Sequence, residues 1–379
     1  MHGTRGVGWN TMVGALGLGL MVSGCSHLGP NSMRSGRVLY NRAIAETANE
    51  QLLLNIVRLQ YRDVPVFLEV TSVSTSLSFT GTFGPEVALF EGPGNDGVDG
   101  SIGSLSYEEQ PTITYLPLQG ENFVRQLLTP ISADQIQLLY YSGWSIDRIL
   151  RVCVQRMGAY ANAPSASGPT PARAPEFEAF REVTEIFREL QIEGALSVGR
   201  TALPTASDDD DASGRSALVI EIDRSRVSEV QNEALRARLA RWDESETIVR
   251  FVLTDGVIDH DPSTVTLVTR SVMAAMFYLS QGVNVPVRDR ELGRVTTTVT
   301  DSGEPFEWSD LLGGLFAVRE SEDEPDNAYA KVWYRGRWFY IDDSDRTSKS
   351  TFSLLTQLLA LQAGEFESRG PVLTLPVAQ

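Results

Sequence analysis

The stretch "YAKVWYRGRWFYIDD", Tyr329–Asp343, carries the clearest supersecondary signal in the chain. Two aromatic-rich runs flank Arg335-Gly336, which predicts two strands joined by a tight turn. Trp333, Trp338 and Tyr340 are then available for cross-strand contacts. Just downstream, "SDRTSKSTFSLLTQLLALQAG" offers caps and an apolar helix over about residues 348–363, and "PVLTLPV" offers a closing strand. Strands and helices alternate loosely here, without a regular βαβ rhythm. The pattern predicts an α+β fold, with mixed or antiparallel sheet elements and several packed amphipathic helices.

The same reading extends upstream. Thr264–Gln281 reads as a helix with Val268, Val272, Ala275, Met276 and Leu279 on its apolar side, stopped by Gly282. Thr247–Leu253 and Ala217–Ile222 read as strands, with a helix over Val227–Leu239 between them. Glu176–Gln191 is amphipathic through Phe177, Phe180, Val183, Phe187 and Leu190. Before it, "ANAPSASGPTPARAP", Ala161–Pro175, holds no apolar repeat and reads as a linker or exposed loop. Helices are expected over Glu121–Leu128, Ser132–Tyr141 and Ser145–Met157. In the second of these, Ser132 and Gln135 stand at capping-box spacing. Val66–Phe83 and Pro111–Leu118 read as strands, separated by the Gly-rich loop Gly92–Ser104. Arg37–Gln60 places Tyr40, Ile44, Ala48, Leu52, Ile56 and Leu59 on one helical stripe, expected to pack on its own domain.

The N-terminus has a different character. A thin basic patch with Arg5 precedes the apolar run Met12–Val22, and then Val22-Ser23-Gly24 lead to Cys25. The run is too short to span a bilayer as a helix and fits the h-region of a secretory signal. Together these residues resemble the signal peptide and lipobox of bacterial lipoproteins. The resemblance implies cleavage before Cys25 and acylation of its thiol, with palmitate-type chains. In that family an Asp after the cysteine retains the protein at the inner membrane. Ser26 stands there instead, which implies the outer membrane, with the body facing the periplasm. The thiol suits this role because a thiolate is a good nucleophile. Several acyl chains together anchor durably where one anchors only marginally.

On this reading residues 1–24 are a signal peptide and 25–36 a lipidated tether. Residues 37–160 form an N-terminal α+β region, and 161–175 the linker or loop. Residues 176–379 form a C-terminal α+β region, either separate from 37–160 or one domain with it. The chain carries a net charge of −17. Such an acidic surface is repelled by phosphate backbones, so no nucleic-acid partner is expected. Acylation of Cys25 would leave Cys153 alone and exclude an intrachain disulfide.

Candidate chemistry is sparse. No cofactor fingerprint is present, and no cofactor or metal is expected. His260 lies in "DGVIDHDPST" among Asp255, Asp259 and Asp261, a grouping open to metal or acid–base work. Ordinary turn and capping chemistry is the preferred account. Asp342, Asp343 and Asp345 follow the aromatic hairpin, where paired carboxylates beside stacking aromatics suit glycoside hydrolysis. The preferred account makes them caps of the next helix. Cys153 falls on the apolar face of its helix and reads as a buried small residue. The expectation is therefore an envelope lipoprotein held to the bilayer through acylated Cys25. Its expected role is non-catalytic, in binding, scaffolding or assembly with an envelope protein partner. The alternative is an envelope glycan hydrolase using the carboxylates near the hairpin.

Overall fold

Helix α1, residues 38–60, buries only its second half. Leu52, Leu53, Ile56, Val57 and Leu59 are enclosed, whereas Val38 and Leu39 are 67% and 65% exposed. In this computed structural model the described residues are 38–81, 105–202, 216–238, 247–255 and 264–363. The fold is α+β and divides into two units, Met1–Pro65 with Gly120–Gln379, and Val66–Gln119. Among the described residues no helix is long and apolar enough to cross a membrane.

The smaller unit is a two-stranded antiparallel ribbon, β1 (Leu68–Gly81) and β2 (Leu105–Pro117), in register from Leu68 opposite Pro117 to Gly81 opposite Leu105. One irregularity falls between Val70 and Ser72. Val70 faces Tyr115 and Val73 faces Ile113, so apolar residues share one side; Ile113 and Tyr115 are exposed. The Gly-rich loop expected at 92–104 lies outside the described residues.

The larger unit contains α1 and resumes after the ribbon with helices α2 (Glu121–Leu128), α3 (Ala133–Tyr141) and α4 (Ile146–Cys153). The expected capping box at Ser132 is present, with both reciprocal bonds to Gln135. Two short strands follow, β3 (Val154–Met157) and β4 (Tyr160–Ala161), then helix α5 (Glu178–Ile192). Strands β5 (Leu196–Ala202) and β6 (Ser216–Asp223) lead to helix α6 (Glu229–Arg238) and strand β7 (Ile248–Asp255). Strand β8 (Thr264–Thr269) completes a mixed sheet of order β4-β3-β8-β7-β6-β5, in which only β7 and β8 run parallel. Helix α7 (Val272–Ser280) and helix α5 both pack on α4, placing Phe180, Val183, Phe187, Met276 and Leu279 in the core. Two short helices follow, α8 (Val287–Glu291) and α9 (Trp308–Leu312). The chain then makes a three-stranded antiparallel sheet of order β10-β11-β9 from β9 (Arg319–Ser321), β10 (Ala328–Tyr334) and β11 (Arg337–Asp342). Helix α10 (Arg346–Ala363) ends the described chain, and the expected closing strand at 371–377 lies beyond it.

The expected aromatic hairpin forms, with Trp333 opposite Trp338 and their ring centroids 5.3 Å apart. Arg335 and Gly336 both take positive φ, 50° and 82°, the signature of a type I′ turn. Arg335 is an unusual residue there, and its side chain compensates. It donates to Asp63 at 2.8 Å and lies 4.9 Å from the Tyr61 ring centroid. Tyr334 also donates to Asp63, so the turn is pinned to the chain just after α1.

Three expectations are corrected. The helix expected over Thr264–Gln281 is a strand followed by a helix. "TVTLVT" is β-branched at every position but Leu267 and pairs with β3 and β7, while Ser271 accepts from the Ala274 amide and starts α7. The helix expected to reach Met157 stops at Cys153, where Val154–Met157 turns into the sheet. Finally, the stretch expected as a linker or exposed loop, Ala161–Pro175, lies within the larger unit. Ala161, Asn162, Ala163, Ala166 and Thr170 are buried, and Pro164–Ser167 forms a 3₁₀ turn.

Arg270 explains that last correction. Its side chain is fully buried. The last carbonyls of α4 have no partner within their own helix. The guanidinium supplies one, donating to the carbonyls of Arg151 at 3.0 Å, Val152 at 3.3 Å and Val154 at 2.6 Å. It also donates to the Asn162 carbonyl and, at 3.0 Å, to Ser167 Oγ, and it sits 4.0 Å from the Tyr278 ring centroid. Asn162 adds its own amide, donating to the carbonyls of Arg151 and Val154. The Ala/Pro/Ser-rich stretch is thus drawn in by polar bonds, which a search for apolar repeats cannot see. Burial lowers the Arg270 pKa to about 10, so the charge persists at neutral pH and lies at the negative end of the α4 dipole. Replacing Arg270 with Met should lower the unfolding free energy by at least about 1–3 kcal/mol, the cost of leaving a buried carbonyl without its donor. Urea denaturation measures this against Arg173→Ala, whose exposed position should keep the change within about 0.5 kcal/mol.

Candidate binding site

A cavity of about 420 Å³ opens in the larger unit where five stretches meet. The last turn of α1 contributes Gln60, and the chain after α7 contributes Gln281 to Val285. Residues Val295–Thr298, the α9 region and the start of α10 close the remaining walls. Its volume lies within the usual range of ligand pockets.

Each wall has a local cause. Helix α1 ends because Arg62 takes φ 60° and the Asp63 amide reaches back to the Arg58 carbonyl at 2.8 Å, a left-handed C-terminal cap. The Arg62 side chain then crosses to Thr296 Oγ1 at 2.8 Å and to the Thr170 carbonyl at 3.2 Å. Tyr61 donates at 2.7 Å to Asp289, which also holds Arg294 at 2.7 Å, fixing α8 against the end of α1. Burial, and next the bond to Asp289, push the Tyr61 hydroxyl well above its ordinary range. At the far wall Gly282 lets two backbones meet, because a Cβ there would stand 2.7 Å from the Phe316 carbonyl oxygen. The α10 side is fixed by Ser348, which accepts from the Ala317 amide and donates to Asp345 at 2.6 Å.

Two glutamines in the wall are incompletely paired. Gln60 and Gln281 are only 5% and 3% exposed, and among the described residues the Oε1 of each has no hydrogen-bond partner; both oxygens are packed within the wall, shut off from solvent. The Gln281 Nε2 donates to the Phe277 carbonyl at 3.2 Å, which fixes the sense of that amide. Leaving such an acceptor unpaired costs about 1–3 kcal/mol. Trp308 and Phe306 add half-buried rings to the wall, edge to face at 5.1 Å. Sequence reasoning found none of these. Gln60 reads as the end of an amphipathic stripe and Gln281 as the residue before a helix stop, and neither carries a motif.

The residues that the sequence singled out lie mostly elsewhere. Cys25 and His260, with Asp259 and Asp261, fall outside the described residues. Asp342 accepts from the Ser344 amide and hydroxyl and from Arg319, and those Ser344 bonds hold its carboxyl below the usual range. Asp343 pairs with Lys349 at 2.5 Å. Asp345 accepts from the Ser348 amide at 3.0 Å near the start of α10, and it alone of the three lines the cavity. Trp333, 53% exposed, and Trp338 border a separate groove with Glu50 and Leu54 of α1. Among the described residues no group of three His, Cys, Asp or Glu is placed to hold a metal. Cys153 is fully buried, and burial pushes its thiol up to about 12 despite the opposing Arg270 charge. Comparison with protein-family models, curated proteins and solved structures gives no match.

Tyr61 gives a test of the cavity frame. Its folded pKa is raised, so the unfolded tyrosine ionises first; the stabilisation is present below about pH 10 and is lost above it. Tyr61→Phe should therefore lose about 1–3 kcal/mol at pH 7 and less than that at alkaline pH. Denaturant titrations across the pH range measure both effects. Separately, the native Cys153 should resist iodoacetamide at pH 8 and react only when urea unfolds the chain, read by intact mass.

Proposed function

We propose that the chain is a lipid-anchored envelope protein with a non-catalytic binding role, held at the outer membrane through acylated Cys25 and facing the periplasm. The observation that carries the binding role is the cavity itself, about 420 Å³ and lined by half-buried Phe306 and Trp308 together with polar groups such as Thr296, Thr298 and Asn284. A concave space of this size with a mixed apolar and polar lining is the usual setting for a small ligand. The carboxylates beside the aromatic hairpin point the same way. Asp342, Asp343 and Asp345 are each engaged in a cap or an ion pair, so the hairpin presents no poised acid–base pair.

The anchor rests on the sequence resemblance at Val22–Cys25. The exposed first half of α1, following directly on the tether, suits a body suspended beside a bilayer. The long ribbon of the smaller unit supports the further role of an envelope protein partner. Two-stranded sheets are marginal alone in water, and apolar residues share one side of this one.

Cell fractionation with mass spectrometry tests the anchor. The wild-type protein should sediment with outer membranes and yield an N-terminal peptide that begins at acylated Cys25. The Cys25→Ala variant should lack the acyl mass and leave the membrane fraction or remain unprocessed. A Cys25→Ala protein that still sediments with membranes at its processed size overturns the proposal.

A further inference from the structure

We infer that the β1–β2 ribbon crosses the bilayer as one segment of a β-barrel, closed by the same ribbon from further copies of this chain. This names the envelope partner proposed above as the chain itself, and it rests on that envelope location. The composition of the two faces is the first support. Alternate residues of a strand belong to opposite faces. Ser72, Ser74, Ser76, Ser78 and Thr80 share one file, and every residue paired with them in β2 is Thr, Gln, Glu or Ser. The other file holds Val70, Val73, Leu77 and Phe79, and β2 sets Tyr115, Ile113 and Tyr107 opposite three of them. Such alternation is the pattern of a membrane-barrel strand, with lipid on one side and water on the other. Thr75, Glu109 and Pro111 depart from the apolar file. A carboxylate facing lipid is tolerated better than Lys or Arg, and Pro111 withholds one amide from the ladder.

Length and closure complete the case. Strand β1 has 14 residues and β2 has 13, against roughly 5–6 in an ordinary strand. At about 3.3 Å per residue β2 reaches about 43 Å, or about 30 Å when tilted by about 45°, which is the thickness of the hydrocarbon core. Among the described residues no third strand pairs with the ribbon. Backbone groups in lipid must all be bonded, and a sheet with two edges cannot do that until it closes. A ring of copies closes it. Because β1 and β2 are antiparallel, β2 of one copy also meets β1 of the next in antiparallel fashion, and every apolar file turns outward together. The smallest barrels of this kind have roughly eight strands, so about four ribbons are the fewest that close.

The test uses the full-length lipidated protein purified in detergent. Native mass spectrometry should show particles of about four copies or more, and the particles should produce conductance steps in planar lipid bilayers. Ile113 and Thr112 are neighbours in different files near the middle of β2, so a charge introduced at each separates a lipid-facing ribbon from one that only pairs edge to edge. Ile113→Arg should lower the yield of conducting oligomer by more than about tenfold, because Arg facing lipid near the midplane is strongly disfavoured. Thr112→Arg should still assemble and conduct, with a lower cation-to-anion permeability ratio. Both positions lie outside the larger unit, so its urea midpoint should match the wild type in each variant. The inference is overturned by a protein that stays monomeric or dimeric without conductance, by a different protein found paired with the ribbon, or by an Ile113→Arg variant that assembles and conducts like the wild type. Acylated Cys25 on a monomeric, non-conducting protein sinks this inference and leaves the anchor standing. A conducting oligomer with unmodified Cys25 does the reverse.

Discussion

The buried guanidinium of Arg270 is balanced by carbonyl dipoles instead of an anion, and this choice fixes how three stretches of chain meet. An isolated buried charge is expensive unless it is fully hydrogen-bonded. Here the charge lies where a helix ends and its last carbonyls need donors, so one group answers two needs. Arginine suits the place because its planar fork serves several acceptors at once, which a lysine ammonium on its flexible stem would not do in the same geometry. The backbone of the same residue closes the arrangement, with the Arg270 amide donating to the Cys153 carbonyl at 2.6 Å and its carbonyl accepting from Ile131 at 2.9 Å. Strand β8, the end of α4 and the start of α7 are thereby held at one point.

From that point the order propagates to the cavity. Asn162 and Ser167 are tied to Arg270, so the chain that follows them is placed rather than loose. Further along the same stretch, the Pro171 carbonyl accepts from Thr298 Oγ1 at 2.6 Å, and the backbones of Ala172 and Ala174 bond to Val299. Thr298 lines the cavity. The segment that resembles a linker in composition therefore braces one cavity wall, with the Arg62 contacts to Thr170 and Thr296 beside it.

What the sequence disclosed follows from this physics. Apolar periodicity disclosed α1, α5 and α10, and turn chemistry disclosed the aromatic hairpin, because in each the signal and the cause are the same residues. The capping boundary at Ser132 was legible for the same reason. Residues 161–175 were not legible, since they are held by a buried arginine about a hundred positions away and by backbone carbonyls that have no sequence identity. Thr264–Thr269 was misread because its apolar spacing fits a helix, while its β-branched content and two strand neighbours decide for the sheet. The cavity was the least legible feature. Its walls come from five separated stretches, and within them two buried glutamine oxygens lack a donor among the described residues, which is a property of the assembled fold.

That absence has an energetic meaning. Two unpaired buried acceptors together cost about 2–6 kcal/mol, against a total stability of about 5–15 kcal/mol for a typical domain. Replacing either glutamine by an apolar residue of similar length would relieve part of the cost without disturbing the backbone bonds that shape the walls. The neighbouring polar groups show the opposite treatment: Asp289, Asp345 and Ser348 have their partners close at hand. The frame of the cavity is thus satisfied, while two acceptors packed within its wall have no donor among the described residues. Because both oxygens are shut off from solvent, the cost falls on the packed wall itself, and water cannot relieve it while the wall keeps this arrangement.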